Sequence, residues 1–98
     1  MAVNIKKPEA GGSGGSGVAF IAGQAKKELV SLTNLEPSTI LGTTKEGEEW
    51  IVTLEMVEKK SIPDAMDILG TYEVRMDSNG QVLNFNRISL RKRGDTTS

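Results

Sequence analysis

The spacing of apolar residues changes once along this chain, and the change divides it into a helical part and a sheet part. Phe20, Ile21, Ala25, Leu29 and Leu32 recur near the 3.6-residue period, with Gln24, Lys26, Lys27 and Glu28 between them. That pattern predicts an amphipathic helix of about four turns, roughly Ala19 to Thr33. Gly23 weakens such a helix by ~1 kcal/mol relative to Ala, so packing of the apolar face must hold it. Asn34 tolerates the left-handed conformation that stops a helix, and Pro37 biases the residue before it away from helix.

Beyond Pro37 the pattern alternates. Thr39 to Thr44 reads as a short strand, followed by turn residues Lys45-Glu46-Gly47-Glu48. Trp50 to Val57 is the strongest strand, with Trp50, Val52, Leu54 and Met56 on one face and Ile51, Thr53, Glu55 and Val57 on the other. Gly70 to Met76 alternates in the same way. Asp77-Ser78-Asn79-Gly80 is a hairpin turn, because Asn and Gly accept positive φ. The return strand, Gln81 to about Leu90, needs a bulge, since Val82, Leu83, Phe85, Ile88 and Leu90 cannot otherwise share a face. The expected architecture is α+β: one N-terminal helix packed on a three- to four-stranded antiparallel sheet. Trp50, Phe20, Phe85 and Tyr72 are expected to meet between helix and sheet, as core rather than as a ligand pocket. The opposite face, with Ile51 and Val57, reads either as a partly solvated surface or as an association surface.

Residues 58–69 break the alternation. This connection is far longer than a hairpin needs, and Pro63 cannot pair within a sheet. Ser61 or Asp64 would cap a single helical turn over the open end of the sheet. Ile62, Met66, Ile68 and Leu69 are apolar in a segment expected at the surface, and packing and partner recognition both remain open for it.

Composition narrows the chemistry. Ninety-eight residues support one small domain, and 37% hydrophobic content is lean. With no Cys and no His there is no disulfide, thiolate site, Ser-His-Asp triad or imidazole acid–base catalysis. A net charge of −1 gives no electrostatic case for nucleic acid. The longest apolar stretch near the N-terminus, Val18 to Ala22, is too short to span a membrane. Asp64 and Asp67 lack the further oxygen ligands a hard cation wants, and Asp77-Ser78-Asn79-Gly80 lacks the late Glu of a calcium loop. No catalytic residue, metal ligand or cofactor is therefore expected. Residues 1–17 end in Gly11-Gly12-Ser13-Gly14-Gly15-Ser16-Gly17, a flexible coil with the regularity of an engineered linker or of a natural tether. Residues 18–94 form the expected domain, and 95–98 a disordered tail. Arg87, Arg91, Lys92 and Arg93 make its last strand basic, opposite an acidic group of Glu46, Glu48, Glu49, Glu55 and Glu58. Such an arrangement steers association between complementary protein surfaces.

The strand Trp50 to Glu58, the loop Ile62-Pro63-Asp64, the strand Asp67-Ile68-Leu69-Gly70-Thr71-Tyr72-Glu73-Val74, the turn Asp77 to Gly80 and the ending Arg91-Lys92-Arg93-Gly94 together resemble the gas vesicle protein O (GvpO) family. The resemblance covers about Ala19 to Gly94. It departs at Gly70, where Ala is common, and at Asn84-Phe85-Asn86 and Ser89-Leu90, often Tyr and Arg in that family. It implies a cytoplasmic, non-enzymatic accessory protein in gas vesicle formation. Contacts with other gas vesicle proteins, accessory factors or the shell protein, follow from it, while the direct partner and oligomeric state do not. The residues expected to bind the partner are Ile62, Pro63, Asp64 and Asp67 in the loop and Arg87, Arg91 and Arg93 on the last strand. The alternative is a small-ligand-binding or PepSY-like regulatory module with its pocket under Trp50; the helix-on-sheet outline is similar to PepSY and cystatin modules in shape alone.

Overall fold

The helical period produces helix α1, Ser16–Thr33, and the alternating stretches produce four strands: β1 (Glu36–Glu46), β2 (Glu49–Lys59), β3 (Ile68–Met76) and β4 (Val82–Lys92). The structure, a computed structural model, describes residues 16–94; the expectations for residues 1–15 and for the tail 95–98 lie outside them. The strands form one antiparallel meander in the order β1-β2-β3-β4.

Asn34 ends the helix as its sequence predicts, with φ of 62° and its N–H donating to the Val30 carbonyl at 2.8 Å. β1 departs from its expected bounds at both ends and slips register on either side of Ile40. Register shifts in the β3–β4 ladder make Leu83 and Ile88 extra residues, so Val82, Phe85, Arg87 and Leu90 share the helix face. The expected bulge is thus two bulges.

The core lies between α1 and that face. Ile21, Ala25 and Leu29 bury themselves against Val52, Leu54 and Met56 of β2 and Tyr72, Val74 and Met76 of β3. Phe20 is a correction: it is 53% exposed rather than in the core. The buried stripe is centred on Ile21, Ala25 and Leu29, and one residue of helix rotates the side chain by ~100°, onto the flank. There its ring lies over the β3–β4 turn, 2.8 Å from where a Cβ at Gly80 would stand. Leu32, in the last helical turn, is also exposed. Trp50 is half-buried; a Cβ at Gly17 would stand 3.9 Å from its Cζ2, and the Lys45 Nζ is 5.6 Å from the ring centroid. On the opposite face Ile51 and Val57 are buried rather than solvated.

The β3–β4 turn spends its acid on backbone. The Asp77 carboxylate accepts the N–H groups of Asn79 at 2.9 Å and Gln81 at 3.0 Å, and Gly80 supplies φ of 89°.

Candidate functional site

The long β2–β3 connection and the end of β4 meet at one corner of the sheet. Strand pairing brings Lys92 opposite Ile68. Past the last pair, the Arg93 N–H donates to the Asp67 carbonyl and the Gly94 N–H to the Ala65 carbonyl, both at 2.8 Å. Gly94 is required for this approach: a Cβ there would stand 2.9 Å from the Ala65 oxygen and 3.0 Å from its Cβ. The connection itself contains one 3₁₀ turn, Asp64–Met66. Neither Ser61 nor Asp64 caps it, contrary to the sequence expectation. The capping position falls to Pro63, which has no side-chain acceptor.

Asp67 is the anchor of this corner. Its side chain is wholly buried, and one oxygen accepts the Ser61 N–H at 2.7 Å. The other accepts Arg93 Nε at 3.2 Å and Nη2 at 3.1 Å, with Lys60 Nζ 3.7 Å away. The Ser61 hydrogen bond, reinforced by Arg93 and Lys60, outweighs desolvation and holds the carboxyl below its usual pKa.

Two further carboxylates repeat the arrangement. Glu55 is buried on the face opposite the helix and accepts Arg91 Nε at 2.7 Å and Nη2 at 3.1 Å. Glu58, mostly buried on the helix face, accepts the Tyr72 hydroxyl at 2.5 Å and lies 3.6 Å from Arg87 Nη1. Its side chain rests on Gly70, in the space an alanine methyl would need, which gives the glycine at that position a physical reason. Burial, followed by the bond to Glu58, pushes the Tyr72 hydroxyl up to about 12. Each pair follows one plan: a buried acid from β2, or from just before β3, is matched by a half-exposed arginine from the end of the chain.

Of the residues expected to bind a partner, Ile62, Pro63 and Asp64 are exposed at the tip of the connection, and Asp67 and Arg93 fasten that connection from inside. Arg91 lies on the face away from α1, and Arg87 on the helix face beside Tyr72. Sequence reasoning set Glu55 and Glu58 opposite these arginines as part of an acidic surface group, but they are withdrawn from the surface and paired with Arg91 and Arg87 directly; it missed Tyr72 altogether. The available signal was an acid within an otherwise apolar strand of a sheet that also carries an arginine-rich strand. Among the described residues no group of three acidic side chains is placed to hold a metal ion, and no helix is long and apolar enough to cross a membrane.

The chain matches the gas vesicle synthesis protein GvpO family over residues 6–97. It belongs to that family. It is similar to gas vesicle protein O of Streptomyces sp. (strain CB03234), 28% identical over 67 residues, covering 68% of this chain and 52% of that protein. It is also similar to gas vesicle protein O of Haloferax mediterranei, 37% identical over 49 residues, 50% of this chain and 35% of that protein. With gas vesicle protein O1 of Halobacterium salinarum it shares 38% identity over 48 residues, 49% of this chain and 40% of that protein. The chain thus spans about half the length, or less, of the curated GvpO relatives it matches. No solved structure matches it.

Proposed function

We propose that the protein is a non-enzymatic accessory factor in gas vesicle formation. It acts in the cytoplasm or on the vesicle, by contact with other gas vesicle proteins, through the corner formed by the β2–β3 connection and the end of β4. The observation that carries this reading is the state of Ile62. The residue is 99% exposed on a connection fastened by the Asp67 carboxylate and by two backbone bonds from Arg93 and Gly94, just past β4. An apolar side chain held in water by a fixed backbone loses little entropy when a partner covers it, which is how interface anchors work. The same site speaks against catalysis. The chain has no His or Cys, and Asp67, Glu55 and Glu58 are each engaged by an arginine.

The test is the double variant Ile62→Ala/Asp64→Ala, expressed in place of the wild-type gene. Both side chains are exposed, so its circular dichroism and melting temperature are expected to stay unchanged while vesicle formation is lost. Normal vesicles from a stably expressed variant overturn the assignment of contact to this corner.

A further inference from the structure

Opposite charges are sorted by depth at this corner. Its three deepest carboxylates, Glu55, Glu58 and Asp67, have side chains 7%, 16% and 0% exposed, whereas the arginines that match them are 37–48% exposed. Lys59, Lys60 and Lys92 are exposed as well. Among the described residues the exposed acids at this end are Glu36 and Asp64, and Glu36 lies 4.0 Å from Lys60. The surface here is cationic although the chain as a whole carries −1. The exposed acids Glu46 and Glu48 stand at the far end, in the β1–β2 hairpin.

Apolar side chains share the cationic end. Ile62 stands free in water, and Met66 and Leu90 are half exposed; Leu90 pairs with Gly70, two residues along β3 from the Ile68–Lys92 pair. A surface of this kind attracts a partner of opposite charge at long range and retains it by apolar contact.

We propose that this corner receives an acidic, amphipathic segment of a partner protein, its apolar side chains covering Ile62 and Leu90 and its carboxylates meeting Lys59, Lys60 and Lys92. The proposal rests on the protein-contact reading above and adds the chemistry of the partner. Ile62 is the anchor. Lys59 and Lys92 carry the variable part of the charge, and Lys60 adds to it from its place 3.7 Å from Asp67 and 4.0 Å from Glu36. Arg93 and Asp67 position the surface without touching the partner.

The probe is a synthetic peptide in which leucines at helical spacing are interleaved with glutamates. Its counterpart replaces every glutamate by lysine at the same apolar content. Each is titrated into the uniformly ¹⁵N-labelled 98-residue chain and followed by amide shifts. The acidic peptide is expected to shift the amides of residues 59–66 and 90–94, and to bind about tenfold more weakly when salt is raised from about 50 to about 500 mM. Lys59→Glu/Lys92→Glu is expected to weaken it at least about tenfold, Ile62→Ala by a similar factor, and the control Lys26→Glu/Lys27→Glu, with the same change in net charge, by less than about twofold. Both lysine pairs are exposed, and unchanged amide spectra of the free variants verify folding. Equal binding of the lysine peptide overturns the proposal. So do shifts confined to another face, an equal response in the Lys26/Lys27 control, absence of shifts at millimolar peptide, and binding to anionic lipid vesicles in place of the peptide. Vesicle formation is not read here, so failure of this titration alongside loss of vesicles in the Ile62/Asp64 variant refutes the acidic partner and leaves the contact reading standing.

Discussion

Asp67 has no surface left in water, and a carboxylate in that position survives as an anion only where donors replace the lost hydration. The Ser61 N–H, the Arg93 guanidinium and the Lys60 ammonium do so, and they hold its pKa below the ordinary 3.8. The sign of the resulting pH dependence follows from proton counting. Below 3.8 the unfolded chain takes up this proton while the native chain still resists it, so the native state loses stability as pH falls through the depressed native value. Above that window the contribution is fully present. Asp67→Asn keeps the shape and removes the charge, leaving Arg93 and Lys60 without their anion. Urea unfolding of the variant is expected to show lower stability than wild type at pH 7, with the difference narrowing between about pH 4 and pH 2. A constant difference across that range would mean that the carboxylate's charge is not what stabilises the corner.

Elements were legible where one period dominated. α1, β2 and β3 follow the apolar spacing directly, because the apolar stripe of α1 and the helix-facing residues of β2 and β3 bury against one another in one cluster. The β3–β4 turn was equally legible, since Asp77 and Gly80 each do locally what their chemistry favours. The number and places of the bulges in β4 were not, because a register slip is set by the neighbouring strand and leaves no mark in the strand's own alternation. The same is true of Phe20, whose exposure depends on which of two adjacent apolar residues the helix turns toward the sheet. Pairing across the sheet likewise hid the partners of the arginines: Glu55 and Arg91 are 36 residues apart in sequence. Turn chemistry yields a prediction at this scale. Gly80→Ala forces a side chain into φ of 89° and against the Phe20 ring. It is expected to cost about 1–2 kcal/mol of unfolding free energy in urea titration. A loss below about 0.3 kcal/mol would show that the turn relaxes freely.

At the scale of the whole molecule, one end of the sheet is closed by tight hairpins and the other by side-chain chemistry. At the first end, short turns join β1 to β2 and β3 to β4, and an ion pair of 2.7 Å between Glu49 and Arg75 links β2 to β3. At the second, the β2–β3 connection and the residues just past β4 are 26 positions apart where Asp67 meets Arg93, and two backbone hydrogen bonds and that side-chain clasp join them. The interior packing of α1 on β2 and β3 involves none of the clasp residues. Opening the corner is therefore a local event of lower free energy than unfolding the core. Arg93→Ala removes the cation and leaves the backbone able to pair. Native-state hydrogen exchange is expected to speed up by about ten- to a hundredfold at Ser61, Asp67, Arg93 and Gly94, while Val52 and Val74 keep their wild-type protection. Uniform acceleration at all of these amides would mean that the corner and the core open as one unit. In that case the rigid presentation of Ile62 would depend on global stability, and the β2–β3 connection would not be a separately fastened contact element. Exchange confined to the corner would instead match a design in which a stable helix-backed sheet carries an independently clasped loop, whose order is set by three residues, Ser61, Asp67 and Arg93, that never need to touch the partner.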